Sequence, residues 1–400
     1  MDSPDKSTAL RGAAPAAGRG RAPERFPALD GVRAVAALAV VLTHVGFQTG
    51  EAVSGPARAA LSRLDIGVAV FFVLSGFLLH RPQAAAALRG APPPAVVPYL
   101  WRRALRVLPG YWVAVLAALV LLPANDGLTA LDWVRQLTLT QVYVDSGLPA
   151  GLTQMWSLAT EVTFYLALPL LGRLAGRTLQ SQLRLCGLMV GAGLGWQTAV
   201  AHDLLPPHAG YWLPGHADWF GLGMGLAALS ASGVPWLRDL ARDGTTCWVG
   251  AAALFAIATT PLTGPYGLAL LTPSETLSRT SLYGAAAVLL VLPATGAGPS
   301  GAVGALLTSR PVAWLGRISY GIFLLHLVVL ALVFDGLEIG FFTGRFWTVL
   351  TVTVAVTLAV SWALQRAVEE PAMRLRDRGP GRRRGPDRQV PSGTGPAARG

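Results

Sequence analysis

In the run DGVRAVAALAVVLTH, residues 30–44, an arginine and a histidine bracket an otherwise apolar, alanine-rich stretch. Arg33 and His44 are eleven residues apart, close to three helical turns, so on a helix they share one face about 16 Å apart along the axis. A guanidinium at a helix end can snorkel to lipid phosphates, and the sequence leaves this structural reading and a functional one both open. A histidine inside an apolar run is different: an unpartnered polar group there is costly, so it faces a cavity or a partner. Glu161, the only carboxylate in the apolar stretch QMWSLATEVTFYLALPLL, raises the same question. A carboxylate in a low dielectric is protonated or paired. Pairing with His44 would fix one imidazole tautomer and leave the other nitrogen as a base; pairing with an arginine would be structural. Both stay open.

Other residues carry weaker signals. Ser75, in VFFVLSGFLL, can donate a hydrogen bond into a cavity, but no nucleophile turn of the GxSxG kind surrounds it. In GHADWFGLGMGLAAL, Asp218 stands at the entrance of an apolar run and is a cavity candidate. Gly221, Gly223 and Gly225 read as helix-packing positions, because no strand precedes them to make a dinucleotide loop. His216 and Asp218 lack a third ligand, so no metal is expected. His326 lies within an apolar span, either satisfied locally or lining a cavity. Cys186 and Cys247 are far apart and read as small core residues.

These residues must be held by membrane helices. Of 400 residues 52% are hydrophobic and only 13% charged, which excludes an ordinary soluble domain. Apolar runs recur at 31–49, 64–80, 107–123, 157–175, 183–201, 212–231, 246–261, 281–297, 312–334 and 346–367, which predicts an all-α, polytopic transmembrane bundle of about ten spans. The net charge of +11 is not a nucleic-acid signature, because its placement is one-sided. Of the 32 Lys and Arg, ten spans leave only Arg58, Arg63, Arg135, Arg279 and Arg345 outside, which puts both termini in the cytoplasm. Residues 1–25 and 377–400 have the composition of disordered tails, leaving 26–376 as one membrane unit. YLWRRALRVLPGYW reads as an interfacial helix carrying Arg102, Arg103 and Arg106 into a span.

Several stretches, in order, resemble the acyltransferase-3 family of integral membrane acyltransferases: the Arg33/His44 pair, VFFVLSGF, RRALRVLP, WSLATEVTFYLALP, GRISYGIFLLH and VEEPAMRL. Where many relatives have an acidic or polar residue before the double phenylalanine, this chain has Ala69 and Val70, with Asp65 upstream. The resemblance implies a multi-pass protein of a bacterial cell membrane that moves an acyl group from acyl-coenzyme A, acetyl-CoA above all, to a hydroxyl of a sugar, glycan or glycosylated small molecule. No tightly bound cofactor is implied. On that reading Arg33, Arg102, Arg103 and Arg106 bind the donor's phosphates, and His44, oriented by Glu161, removes the acceptor's proton. Ser75 or a backbone amide serves the oxyanion. The competing reading is a transporter that uses the buried His, Glu and Arg as a substrate or proton pathway.

Overall fold

The computed structural model describes residues 26–145, 147–267, 270–296 and 301–378, and among them every regular element is helical. The tail assignments, 1–25 and all but two residues of 377–400, fall outside the described residues. The long helices in chain order are α1 (Pro27–Thr49), α2 (Ile66–Leu88), α3 (Val96–Leu121), α4 (Met155–Leu174), α5 (Leu179–Ala201), α6 (Ala217–Ser232), α7 (Gly244–Ala258), α8 (Pro273–Val291), α9 (Arg310–Gly336) and α10 (Phe346–Leu364). Each overlaps one apolar run of the sequence. The basic interfacial segment is the first half of α3, continuous with its apolar half through Pro109.

Among the described residues seven helices are long and apolar enough to cross a bilayer: α1, α2 with its lead-in from Arg58, α3, α4, α9, and α8 and α10 with their extensions. An eighth is added if α6 and the short helix after it, which meet at 109°, count as one bent span. The two remaining helices fall short for different reasons. The 15 residues of α7 rise about 22 Å, less than the roughly 30 Å of hydrocarbon. The 23-residue α5 is long enough, but it carries Gln180, Gln182, Arg184 and Gln197.

Local chemistry sets the helix ends. Thr178 with Ser181 and Thr272 with Glu275 form capping boxes that open α5 and α8. The outlying helix Ala130–Leu137 starts the same way: the Thr129 hydroxyl and amide hold the Asp132 carboxyl below the usual carboxylate range. Gly50, at φ 86°, ends α1 in a left-handed cap. The glycine run of α6 is used on alternate sides: a side chain at Gly223 would meet the Val73 backbone of α2, and one at Gly221 the Cys186 backbone of α5. Helices thus approach to backbone contact, as small residues allow in a membrane. Both cysteines are buried, as core residues would be. The innermost helix is α9, and apolar side chains of the outer ones, such as Val120, Leu166, Leu188 and Trp347, are exposed where lipid would cover them.

Candidate active site

Two polar clusters lie along α1. The first gathers at Arg33, which pairs with Asp30 at 3.0 Å and has Arg103 and Arg106 of α3 as electrostatic neighbours. Arg106 forms an ion pair at 2.8 Å with Glu369, a buried carboxylate in the π turn Gln365–Glu369 that follows α10, and its guanidinium lies 5.6 Å from the Tyr320 ring centre. Arg103 lies over Tyr165, and its Nε is buried without a hydrogen-bond partner. It is therefore the guanidinium of this group with no carboxylate of its own among the described residues. Arg102 is exposed on the same helix and joins no recorded contact of the cluster. Three of the four predicted phosphate-binding arginines are thus brought together, and the fourth is left at the surface.

Glu161 belongs to this arginine end. It accepts a hydrogen bond from Ser75, and Tyr99, Tyr165 and Tyr320 are its electrostatic neighbours. The expected contact with His44 is not made, and the helix registers show why. On α2, Gly67 packs against Ala36 and Val40, whereas Phe77 meets Phe26 at 5.6 Å, so Ser75 lies level with the start of α1. On α4, Gln154 donates to the Leu324 carbonyl at 3.0 Å, two residues from His326, and Glu161 lies about two turns further toward the arginines. Ser75 is likewise too far along the bundle to serve an oxyanion formed at His44.

The second cluster centres on His44. Its Nδ1 is 2.8 Å from the Val40 carbonyl and 3.3 Å from Nε2 of His326. The rings are 5.1 Å apart. His326 is completely buried in α9, and its Nδ1 lies 3.1 Å and 2.9 Å from the Ile322 and Phe323 carbonyls. His44 itself is half-buried, and its Nε2 is neither enclosed nor engaged by any described residue. Asp65, at the start of α2, is an electrostatic neighbour of His44 and accepts from the Tyr283 hydroxyl at 2.6 Å. Between the two clusters the Phe71 and Phe323 rings meet edge to face at 5.9 Å.

Asp218 lies in neither cluster. It is buried against Gly193 of α5, next to His216, whose ring stacks on Trp156 at 5.0 Å. Sequence reasoning missed the pairing of His44 with His326, and it missed Glu369. For Glu369 a signal existed, a carboxylate closing an apolar run in VEEP. On the arginine side a cavity of about 430 Å³ opens beside Tyr99, lined by Gln83, Pro93, Pro94, Arg173 and Arg177.

Comparison with known proteins shows the family of the chain. The family model described as an acyltransferase domain matches residues 26–366. A Bacillus subtilis protein, YrhL, with a provisional peptidoglycan O-acetyltransferase name, is 26% identical over 374 residues, 86% of this chain and 54% of that one. The peptidoglycan O-acetyltransferase OatA of Listeria monocytogenes is 25% identical over 366 residues, 86% of this chain and 55% of its own. The acyltransferase MdmB of Streptomyces mycarofaciens is 29% identical over 384 residues, 88% of this chain and 92% of its own. The chain therefore spans about half the length of the first two relatives and nearly the whole of the third. No solved structure matches it.

Proposed function

Because the chain belongs to the acyltransferase-3 family, we propose that it is a membrane O-acyltransferase that moves an acetyl group from acetyl-CoA to a hydroxyl of a glycan or a glycosylated metabolite. The observation that carries this reading is the free Nε2 of His44, presented about 16 Å along α1 from an arginine cluster. A donor with anionic phosphates and a long flexible arm fits that separation. Arg103, with Arg33 and Arg106 beside it, would meet the phosphates through charge-assisted hydrogen bonds. The nucleotide end would enter by the cavity beside Tyr99, whose lining includes Arg173 and Arg177. The arm would then pass the Phe71–Phe323 contact to bring the thioester to His44.

An alcohol is a poor nucleophile until its proton leaves as it attacks. In the proposed step the acceptor oxygen bonds to the thioester carbon and its proton passes to His44 Nε2. The tetrahedral oxyanion then collapses, the carbon–sulfur bond breaks, and the thiolate takes the proton back from the imidazolium. Base and acid are the same ring, so no acyl-enzyme is required. The acceptor would approach from the end of α1 nearest His44, five residues before the helix ends at Thr49.

Thiol release tests the proposal. The full chain in proteoliposomes, given acetyl-CoA with a muramyl disaccharide and a panel of glycosylated metabolites, should liberate CoA only when an acceptor is present. His44→Ala should lose more than about 100-fold in kcat, the size of effect general bases supply. Wild-type turnover by His44→Ala would remove its assigned role. Solute accumulation without thiol release would favour transport.

A further inference from the structure

We infer that His326 is a positioning residue that fixes the proton of His44 on Nδ1 and leaves the Nε2 lone pair for the acceptor; this rests on reading His44 as the base. The argument starts from carbonyl oxygens, which only accept. His326 Nδ1 lies within 3.1 Å of two of them, Ile322 and Phe323, so it carries the hydrogen and its Nε2 carries the lone pair. That lone pair faces Nδ1 of His44 at 3.3 Å. The same nitrogen of His44 lies 2.8 Å from the Val40 carbonyl, so it too carries its hydrogen, shared between an oxygen and the neighbouring ring. The chain of donors has one direction: His44 Nδ1–H gives to His326 Nε2, and His326 Nδ1–H gives to the backbone of α9.

A single unoccupied nitrogen remains at the end of this chain, His44 Nε2, on the accessible side of the ring. In many hydrolytic sites a carboxylate does the orienting. Here the orienter is neutral, and the resting pair places no ion among Val41, Val45, Ile322, Val329 and Leu330, which line these turns of α1 and α9. When His44 takes the acceptor's proton, the imidazolium keeps its Nδ1 hydrogen bonds to Val40 and His326, and these strengthen as the donor becomes charged. His326 never touches the reacting atoms; it acts through His44.

Comparison of His326→Gln with His326→Phe separates this role from simple packing. The Gln side chain can present an oxygen near the position of Nε2 and accept the His44 hydrogen; Phe fills the volume and accepts nothing. In the thiol-release assay on the full-length protein, Gln should keep kcat within about tenfold of wild type. Phe should lose more than about 100-fold in kcat while the donor KM stays within twofold. His326→Leu removes the acceptor in the same way should Phe lower the melting temperature. On a His44→Ala background neither change should reduce the residual rate further. Phe as active as Gln would overturn the inference, because a packing role favours the apolar ring over a buried amide. That outcome leaves the base role of His44 standing, whereas a wild-type rate in His44→Ala removes the base role itself.

Discussion

Arg63 is almost fully buried, yet among the described residues no carboxylate forms an ion pair with it; it donates to the Ala258, Thr263, Gly264 and Pro265 carbonyls and to the Thr263 hydroxyl, with the Tyr266 ring 5.2 Å away. A guanidinium fork reaches these acceptors together, whereas an ammonium offers its hydrogens from one point. Arg63→Lys should therefore lower stability by about 2 kcal/mol, read as a fall in melting temperature in detergent, with the donor KM unchanged in the protein that remains folded. Arg103, the cluster's guanidinium without a carboxylate, has the opposite profile: Arg103→Gln should raise the donor KM about tenfold and leave kcat nearly unchanged, as loss of uniform binding does. Glu161 shows where reading the sequence stopped short. Its carboxylate, the arginine cluster and His44 were all legible as polar residues in apolar runs, because burial cost makes them conspicuous. The partner was not, because pairing depends on the axial register of α4 against α1, which no spacing within either helix encodes. A double-mutant cycle measures the difference. Glu161→Gln and Ser75→Ala should couple strongly, while Glu161→Gln and His326→Gln should combine within about a factor of two, as separated sites do.

At the scale of elements, the central packing is decided by hydrogen atoms standing where side chains would be. A side chain at Gly76 of α2 would meet the Phe220 carbonyl of α6, and one at Gly223 would meet the Val73 carbonyl of α2, so the two helices lock glycine to glycine. Gly223→Val should therefore destabilise the protein by about 3 kcal/mol or prevent its accumulation in the membrane, whereas Gly191→Ala, with open space on α5, should be tolerated. The pattern GLGMG was readable as packing because no strand precedes it. That Gly221 and Gly223 serve opposite neighbours was not, since the period of a helix places alternate residues on different faces without naming what lies there. The apolar runs likewise located every long helix. They could not tell a crossing helix from a 15-residue one such as α7, because hydropathy reports environment and not length inside it.

For the whole molecule, the ties between helix ends decide how many times the chain crosses. The start of α1 lies near Arg106, and Arg106 holds Glu369 just past α10, so both ends of the described chain emerge at the arginine end. At the opposite end, Arg63 before α2 and Arg279 near the start of α8 both bind the Thr263 carbonyl. The chain leaves α4 at the arginine end and enters α8 at the histidine end, so an odd number of crossings lies between them. With the seven clearly apolar helices this gives eight or ten crossings, and in both the eighth is α5, whose 23 residues are long enough to cross although its polar side chains lower its hydropathy. Arg63 and Arg279, two of the five arginines at the histidine end, bind backbone carbonyls and keep their charge; with so few cations at that end, the positive-inside pattern supports a cytoplasmic arginine end. Single cysteines at exposed positions test this on intact cells with a membrane-impermeant maleimide. Leu204→Cys, after α5, and Leu262→Cys, after α7, should react from outside, and Arg177→Cys should react only after permeabilisation. Asp239→Cys, between α6 and α7, decides between the two counts: protection until permeabilisation means ten crossings, and labelling from outside means that α6 and α7 dip in and return. Labelling of Arg177→Cys from outside would invert the molecule and place the arginine cluster beyond reach of a cytoplasmic thioester.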